Sequence, residues 1–86
     1  GYVKTAEGEL TDLKSSSIKV EFSSGSKVTY DYDSDDVDFK VSGSFNNSYS
    51  GLKNALESSD IDYVTVTITF DKNGEITRIK AEPEEK

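Results

Sequence analysis

The segment 63–70 constrains the fold of this chain more than any other part of the sequence. Its large apolar side chains alternate with residues that are mostly threonine. The apolar positions are Val64, Val66, Ile68 and Phe70, and the opposite positions are Tyr63, Thr65, Thr67 and Thr69. This density of β-branched residues disfavours a helix, and the period of two is typical of a strand with one buried face. The sequence therefore predicts a mostly β fold.

A hairpin is predicted directly after this segment. The tetrapeptide 71–74 ends in Asn73-Gly74 and precedes a further apolar stretch, which is a strong short-range hairpin signal. The returning strand is predicted over 76–82. Ile76 and Ile79 lie three residues apart in it, and this spacing indicates either a β-bulge or burial on two faces.

Alternation of the same kind marks three earlier strands, over residues 17–22, 27–32 and 37–41. Gly25 lies between the first two, so they are predicted to form a hairpin. Residues 1–5 are predicted to form the first strand of the chain. Residues 6–16 are predicted to form a loop that Leu10 and Leu13 anchor.

One short helix is predicted between the fourth and fifth strands. Ser48 or Ser50 is placed to cap it, and Leu52, Ala55 and Leu56 share one of its faces. Six strands in a flat sheet would leave long exposed edges, so we expect a small antiparallel barrel or a curled sheet. An oligonucleotide-binding-type barrel also has a helix between strands, but this likeness concerns architecture and not function.

Length and composition predict a single small module. Eighty-six residues allow one modest core. The chain starts at Gly1 and contains no Met, so we expect it to be a piece of a longer protein. The module is predicted to span residues 1–82, because apolar content is lost after Pro83. Residues 83–86 are therefore predicted to begin an acidic linker.

Charge narrows the classes of partner. With 17 acidic and 10 basic residues, the formal net charge is -7. A charge of this sign disfavours binding to nucleic acid or to anionic lipid. No apolar run is long enough for a membrane helix, so membrane insertion is not expected. The absence of Cys excludes disulfides and thiolate chemistry.

Catalysis is not expected either. The chain contains no His and no Cys, and serine without a neighbouring base is not a nucleophile. No cofactor is predicted. The sharpest local feature is the acidic stretch 31–38, in which Asp33, Asp35 and Asp36 are a candidate Ca²⁺ site. The stretch lacks the Gly and the distal Glu of an EF-hand loop, so a solvated turn is the favoured interpretation.

A candidate ligand-binding surface is offered by Tyr30, Tyr32, Tyr49 and Tyr63, because a phenol combines a stacking face with a polar tip. Tyr30 and Tyr32 share the face of Val28, and their burial is expected. Tyr49, in an Asn- and Ser-rich segment, is the tyrosine that we expect to be exposed. It is the candidate for binding sugars or peptides.

Several segments resemble a known repeat. They are Gly1-Tyr-Val-Lys4, Ser17-Ile-Lys-Val20, Asp36-Val37, Leu52 to Leu56, Tyr63-Val-Thr-Val-Thr67 and Asp71-Lys-Asn-Gly-Glu-Ile-Thr-Arg-Ile-Lys-Ala81. Together they resemble a small β-barrel repeat of Gram-positive bacterial surface proteins that also have S-layer homology domains. This sequence departs from the repeat at 58–62, where a longer segment replaces a tight Gly-Asp turn. The resemblance implies an extracellular, non-catalytic module at the cell surface or cell wall.

Two functions are therefore expected in order of preference. The first is a structural or spacer module of a larger cell-surface or S-layer-associated protein, with neighbouring domains of the same chain as its partners. The second is a binding module for cell-wall polysaccharide or a partner protein. As an isolated fragment, the module is expected to be a monomer.

Overall fold

The computed structural model describes residues 4–86, which form six strands and one helix. The elements are β1 (Lys4–Lys14), β2 (Ser17–Glu21), β3 (Lys27–Asp31), β4 (Asp38–Val41), α1 (Tyr49–Glu57), β5 (Ile61–Phe70) and β6 (Ile76–Glu85). The predicted helix and the last five predicted strands are confirmed. The predicted strand over 1–5 lies partly outside the described residues, and its last two residues begin β1.

β1 is longer than the sequence indicates, and the loop predicted over 6–16 is wrong. The strand pairs with β5 through Lys4–Glu9 and with β2 through Glu9–Lys14. A register shift between Leu10 and Asp12 brings Leu10 and Leu13 to the same side, and both are buried. The three-residue spacing of these leucines hides the strand from a period-two pattern. Their anchoring role is confirmed.

All six strands belong to one sheet, in the order β3-β2-β1-β5-β6-β4. Four of the pairings are antiparallel, as predicted, and the pairing of β4 with β6 is parallel. The prediction of an antiparallel sheet is therefore mostly right. Its exception arises because β4 passes to the far edge of the sheet and lies beside β6, which runs in the same direction.

The sheet is strongly curled, as expected. β3 and β5 are three positions apart in the sheet, which would separate them by about 14 Å if the sheet were flat. However, the ring centroids of Tyr30 on β3 and Phe70 on β5 are 5.2 Å apart. The two edge strands are consecutive in the chain and are joined by residues 32–37. No pairing between β3 and β4 occurs within residues 4–86, so the curled sheet does not close.

Gly8 allows this curl at the centre of β1. A Cβ atom on Gly8 would lie 2.5 Å from Val20 Cγ1 and 2.6 Å from the Glu21 carbonyl oxygen. These distances are shorter than van der Waals contact. Only a residue without a side chain lets β2 fold so closely over β1.

The concave side of the sheet holds one apolar core, which α1 covers. Ser48, one of the two predicted caps, accepts a hydrogen bond at Oγ from the Gly51 N–H at 3.0 Å and so caps the helix. Leu52 and Ala55 are fully buried and Leu56 is half-buried. The strands contribute Leu10, Leu13, Ile18, Val20, Phe39, Val41, Val64, Val66, Ile68, Phe70, Ile76, Ile79 and Ala81.

The β5–β6 hairpin is confirmed, and a bulge explains the spacing of its isoleucines. Gly74 has φ of 81°, and the Asp71 side chain accepts hydrogen bonds from the N–H groups of Asn73 and Glu75. The register then shifts, because Thr69 pairs with Arg78 and Phe70 pairs with Ile76. The extra residue between these pairs turns both Ile76 and Ile79 inward.

β6 continues to Glu85, three residues beyond the predicted boundary at Glu82. Residues 83–85, which the sequence assigns to the start of a linker, pair with the first part of β5. Backbone groups alternate between the two edges of a strand, and the Ala81 carbonyl oxygen accepts from the Ser42 N–H on the β4 side. The backbone nitrogen of Pro83, which carries no hydrogen, therefore faces that same side, beyond the end of β4. The proline is tolerated because no other strand among residues 4–86 lies there to accept a hydrogen bond.

Candidate functional site

A concave surface lies where β2 and β5 diverge on either side of β1. We call it the acidic groove. It encloses about 450 Å³ and is lined by Glu7, Gly8, Glu9, Glu21, Phe22, Ser23, Tyr63 and Thr65. β1 forms its floor, the end of β2 forms one wall, and the start of β5 forms the other. Gly8, which β2 approaches closely, thus also lines the groove.

Carboxylates and aromatic rings face each other across this groove. Glu9 and Glu21 are directly opposite in the antiparallel ladder of β1 and β2, a pairing of like charges that destabilises a sheet. Tyr63 is 44% exposed on the facing wall, and Phe22 is half-buried against the core. Carboxylate oxygens beside an exposed ring are suited to ligands that present hydroxyl or cationic groups.

Sequence reasoning chose a different tyrosine for this role. Tyr49 was expected to be exposed, but it begins α1 and is half-buried against the core. Tyr63 is the more exposed ring because it lies on the outer side of β5, opposite the buried Val64. The period-two alternation within 63–70 already placed Tyr63 on the face opposite the apolar residues. The contributions of Phe22 and Glu21 depend on the pairing of β2 with β1 and had no counterpart in the sequence.

Tyr32 has a structural role, in agreement with its predicted burial. Its ring packs edge-on against Phe39, with the centroids 5.9 Å apart. Its hydroxyl donates a hydrogen bond to the Lys14 carbonyl oxygen, and its N–H donates to the carbonyl oxygen of Ser16 at 3.0 Å. Tyr32 thus fastens the connection between β3 and β4 to the turn between β1 and β2. Burial, and secondarily the neighbouring Tyr49, raises the pKa of Tyr32 to about 12.

This pKa predicts a loss of stability in alkali. The neutral phenol is favoured in the folded state, so its stabilisation is complete below pH 10 and disappears as the pH rises towards 12. We expect the difference in unfolding free energy between the wild type and Tyr32→Phe to change by about 2 to 3 kcal/mol across this range, in favour of the variant.

Urea unfolding at pH 8, 10, 11 and 12 measures this difference. Ile79→Val, which trims the core without removing a phenol, should differ from the wild type by the same amount at every pH. A pH-independent difference for Tyr32→Phe would contradict this role.

The candidate Ca²⁺ residues lie in the connection between β3 and β4. Asp33 accepts a hydrogen bond at Oδ1 from the Asp35 N–H at 3.0 Å, and its carbonyl oxygen accepts from the Asp36 N–H at 2.9 Å. Asp33 and Asp36 line a cleft of about 280 Å³ together with Asp31 and Glu75, whereas Asp35 does not line it. Within residues 4–86 no three acidic side chains are close enough to hold a metal ion. The Asp33 side chain acts here as the cap of a turn.

Between Lys4 and Lys86 no charged side chain is buried. The helix α1 is too short to cross a membrane, and no helix of the described chain is long and apolar enough to do so.

Comparison with known proteins gives no family assignment. No protein-family model, no curated protein and no solved structure matches this chain.

Proposed function

We propose that this chain is a non-catalytic structural or spacer module of a larger bacterial cell-surface or S-layer-associated protein. The observation that carries the proposal is the position of the two ends of the described fold. Lys4 pairs with Phe70 at one end of β5, and Glu85 pairs with Ile61 at the other end. The chain therefore enters and leaves at opposite ends of a ten-residue strand, about 30 Å apart.

This geometry suits a module that extends a chain and transmits tension. Force applied at Lys4 and Glu85 would pull β1 and β6 in opposite directions along β5. The hydrogen bonds of an antiparallel ladder are perpendicular to the strands, so such a force loads many of them at once. The continuous apolar core and the charged surface further support a passive building block. The extracellular location is supported by the resemblance of the sequence to surface-protein repeats.

A tandem of two copies joined end to end tests the spacer role. We expect small-angle X-ray scattering to show a maximum dimension about 30 Å larger than that of one copy, because each copy adds the length of β5. The single copy has a longest extent of 37 Å and a shortest extent of 21 Å. A tandem that grows by no more than this shortest extent would have folded back side by side, against the proposal.

The alternative function is a binding module for cell-wall polysaccharide or a partner protein, and the acidic groove is the observation that favours it. Titration of the chain with cell-wall glycan fragments, followed by amide chemical shifts, separates the two functions. A spacer leaves the amides of Glu9, Phe22 and Tyr63 unmoved. Saturable shifts confined to the groove, absent in Tyr63→Ala, would establish the binding function instead.

A further inference from the structure

β3 has a free backbone edge. It pairs only with β2, from Ser17↔Asp31 to Glu21↔Lys27. The Phe22 N–H donates to the Ser26 carbonyl oxygen at 2.8 Å, and the Tyr32 N–H donates to that of Ser16 at 3.0 Å. Hydrogen-bonded pairs alternate along an antiparallel ladder, so Val28 and Tyr30 bond to β2. The N–H and C=O groups of Lys27, Thr29 and Asp31 therefore point away from the sheet, and no other strand among residues 4–86 pairs with them.

At the opposite edge of the sheet, one outward backbone group is already hydrogen-bonded within the chain. At β4, the outward N–H of Val41 donates to Asn47 Oδ1 at 2.8 Å. At β3, by contrast, Lys27, Val28, Thr29 and Asp31 are all exposed, and Val28 is 36% exposed although its side chain is apolar. Sheet proteins usually block such edges, because a free edge is a template for pairing with another strand.

The sequence of β3 is complementary to itself. If two copies of Lys27–Asp31 run antiparallel with Thr29 opposite Thr29, each Lys27 lies opposite an Asp31 and each Val28 lies opposite a Tyr30. In this register, the residues whose backbone groups point outward face each other. Three residue pairs then exchange two hydrogen bonds each, and both exposed valines are covered.

We infer that two copies of this chain associate through β3, in antiparallel register centred on Thr29, to form one continuous sheet across a twofold axis. The partner at this edge is a second copy of the chain, because the segment is complementary to itself. In the register centred on Thr29, each Lys27 faces an Asp31 of opposite charge. The interface is small, below about 1,200 Å², so the association is weak, with a dissociation constant on the order of 1 mM. It joins neighbouring molecules laterally and goes beyond the proposed spacer role, which concerns the length of one chain.

Sedimentation equilibrium of the whole chain tests the association. Between about 0.05 and 3 mM, the weight-average mass should rise from that of the 9.5 kDa monomer towards twice this value. Amide hydrogen exchange at Lys27, Thr29 and Asp31 should slow over the same range. A monomeric mass at every concentration would overturn the inference, as would a dimer in which these amides stay unprotected.

Charge exchange tests the register. Lys27→Asp places acids opposite each other in the pair, and Asp31→Lys places lysines opposite each other, so each variant alone should be monomeric at 3 mM. An equimolar mixture should dimerise like the wild type, because the aspartate introduced in one variant then faces the lysine introduced in the other. Circular dichroism confirms that both variants are folded. A mixture that remains monomeric would exclude the proposed register.

Thr29→Pro provides a separate test of the backbone ladder. It removes an outward N–H that β2 does not use, so the monomer should keep its fold and lose its association. Persistence of the dimer in the folded variant would place the interface elsewhere. If this variant does not fold, the mixture of charge variants decides the question.

Discussion

Replacing Gly51 by Ala is expected to lower the unfolding free energy by about 2 to 4 kcal/mol. Gly51 lies in the first turn of α1 and is buried. A Cβ atom there would overlap the backbone of Asn46, with the carbonyl carbon and the amide nitrogen at 2.7 and 2.8 Å and the carbonyl oxygen closer still. At most helical positions Ala is more stable than Gly by up to about 1 kcal/mol. The predicted effect therefore has the opposite sign to helix propensity.

The overlap is costly because the backbone of the preceding loop cannot withdraw easily. Asn47, the next residue, accepts the hydrogen bond from the Val41 N–H on β4 and so ties the loop to the sheet. Thermal unfolding should show a midpoint lowered by more than about 10 °C. Asn54→Ala, at an exposed position of the same helix, is the control and should raise stability by a few tenths of a kcal/mol, or about half a kcal/mol at most. Equal or greater stability of Gly51→Ala would show that the loop is free to move.

Replacing Leu13 by Ala is expected to cost about 3 to 5 kcal/mol, the largest effect that we predict for a core position. Leu13 is fully buried near the end of β1, and its carbonyl oxygen accepts a hydrogen bond from Lys53 Nζ of α1 at 2.7 Å. The strand on one side and the helix on the other hold the walls of the resulting cavity apart. Because the cavity cannot collapse easily, the loss of unfolding free energy lies at the upper end of the range for such substitutions.

Urea unfolding measures this loss, and Leu56→Ala is the matched control. Leu56 lies on α1 and is half-buried, so the same chemical change should cost only about 1 kcal/mol. If Leu13 belonged to a mobile loop, the two substitutions would have similar effects. A cost for Leu13→Ala no larger than that for Leu56→Ala would therefore contradict the assignment of residues 6–14 to β1.

The strands and turns that the sequence predicts well are those that local patterns specify. Residues 63–70 alternate without a break, and the apolar set identified there is the set that the fold buries. The turn at 71–74 contains its own hydrogen-bonding side chain, Asp71, and its own glycine, Gly74. Ser48 was likewise identifiable as a helix cap, because the capping contact spans only three residues.

The candidate site was only partly predictable. The alternation of 63–70 assigned Tyr63 to the outward face, but nothing local indicated that Phe22 and Glu21 would lie near it. Tyr49 looked exposed because the segment around it is polar. Its half-burial follows from α1 packing across the curled sheet, which brings residues distant in sequence into contact.

The sequence by itself determined the elements whose information is local: a period-two strand, a glycine turn and a capped helix face. Only the tertiary structure decided that β1 pairs with both β2 and β5 and contains a register shift. It also decided that β4 lies parallel to β6 and that β3 keeps a free edge. Strand pairing depends on contacts between distant segments, and the pattern of one strand does not specify its partner. Gly8 illustrates the difference, because the need for glycine at this position appears only once Val20 lies against it.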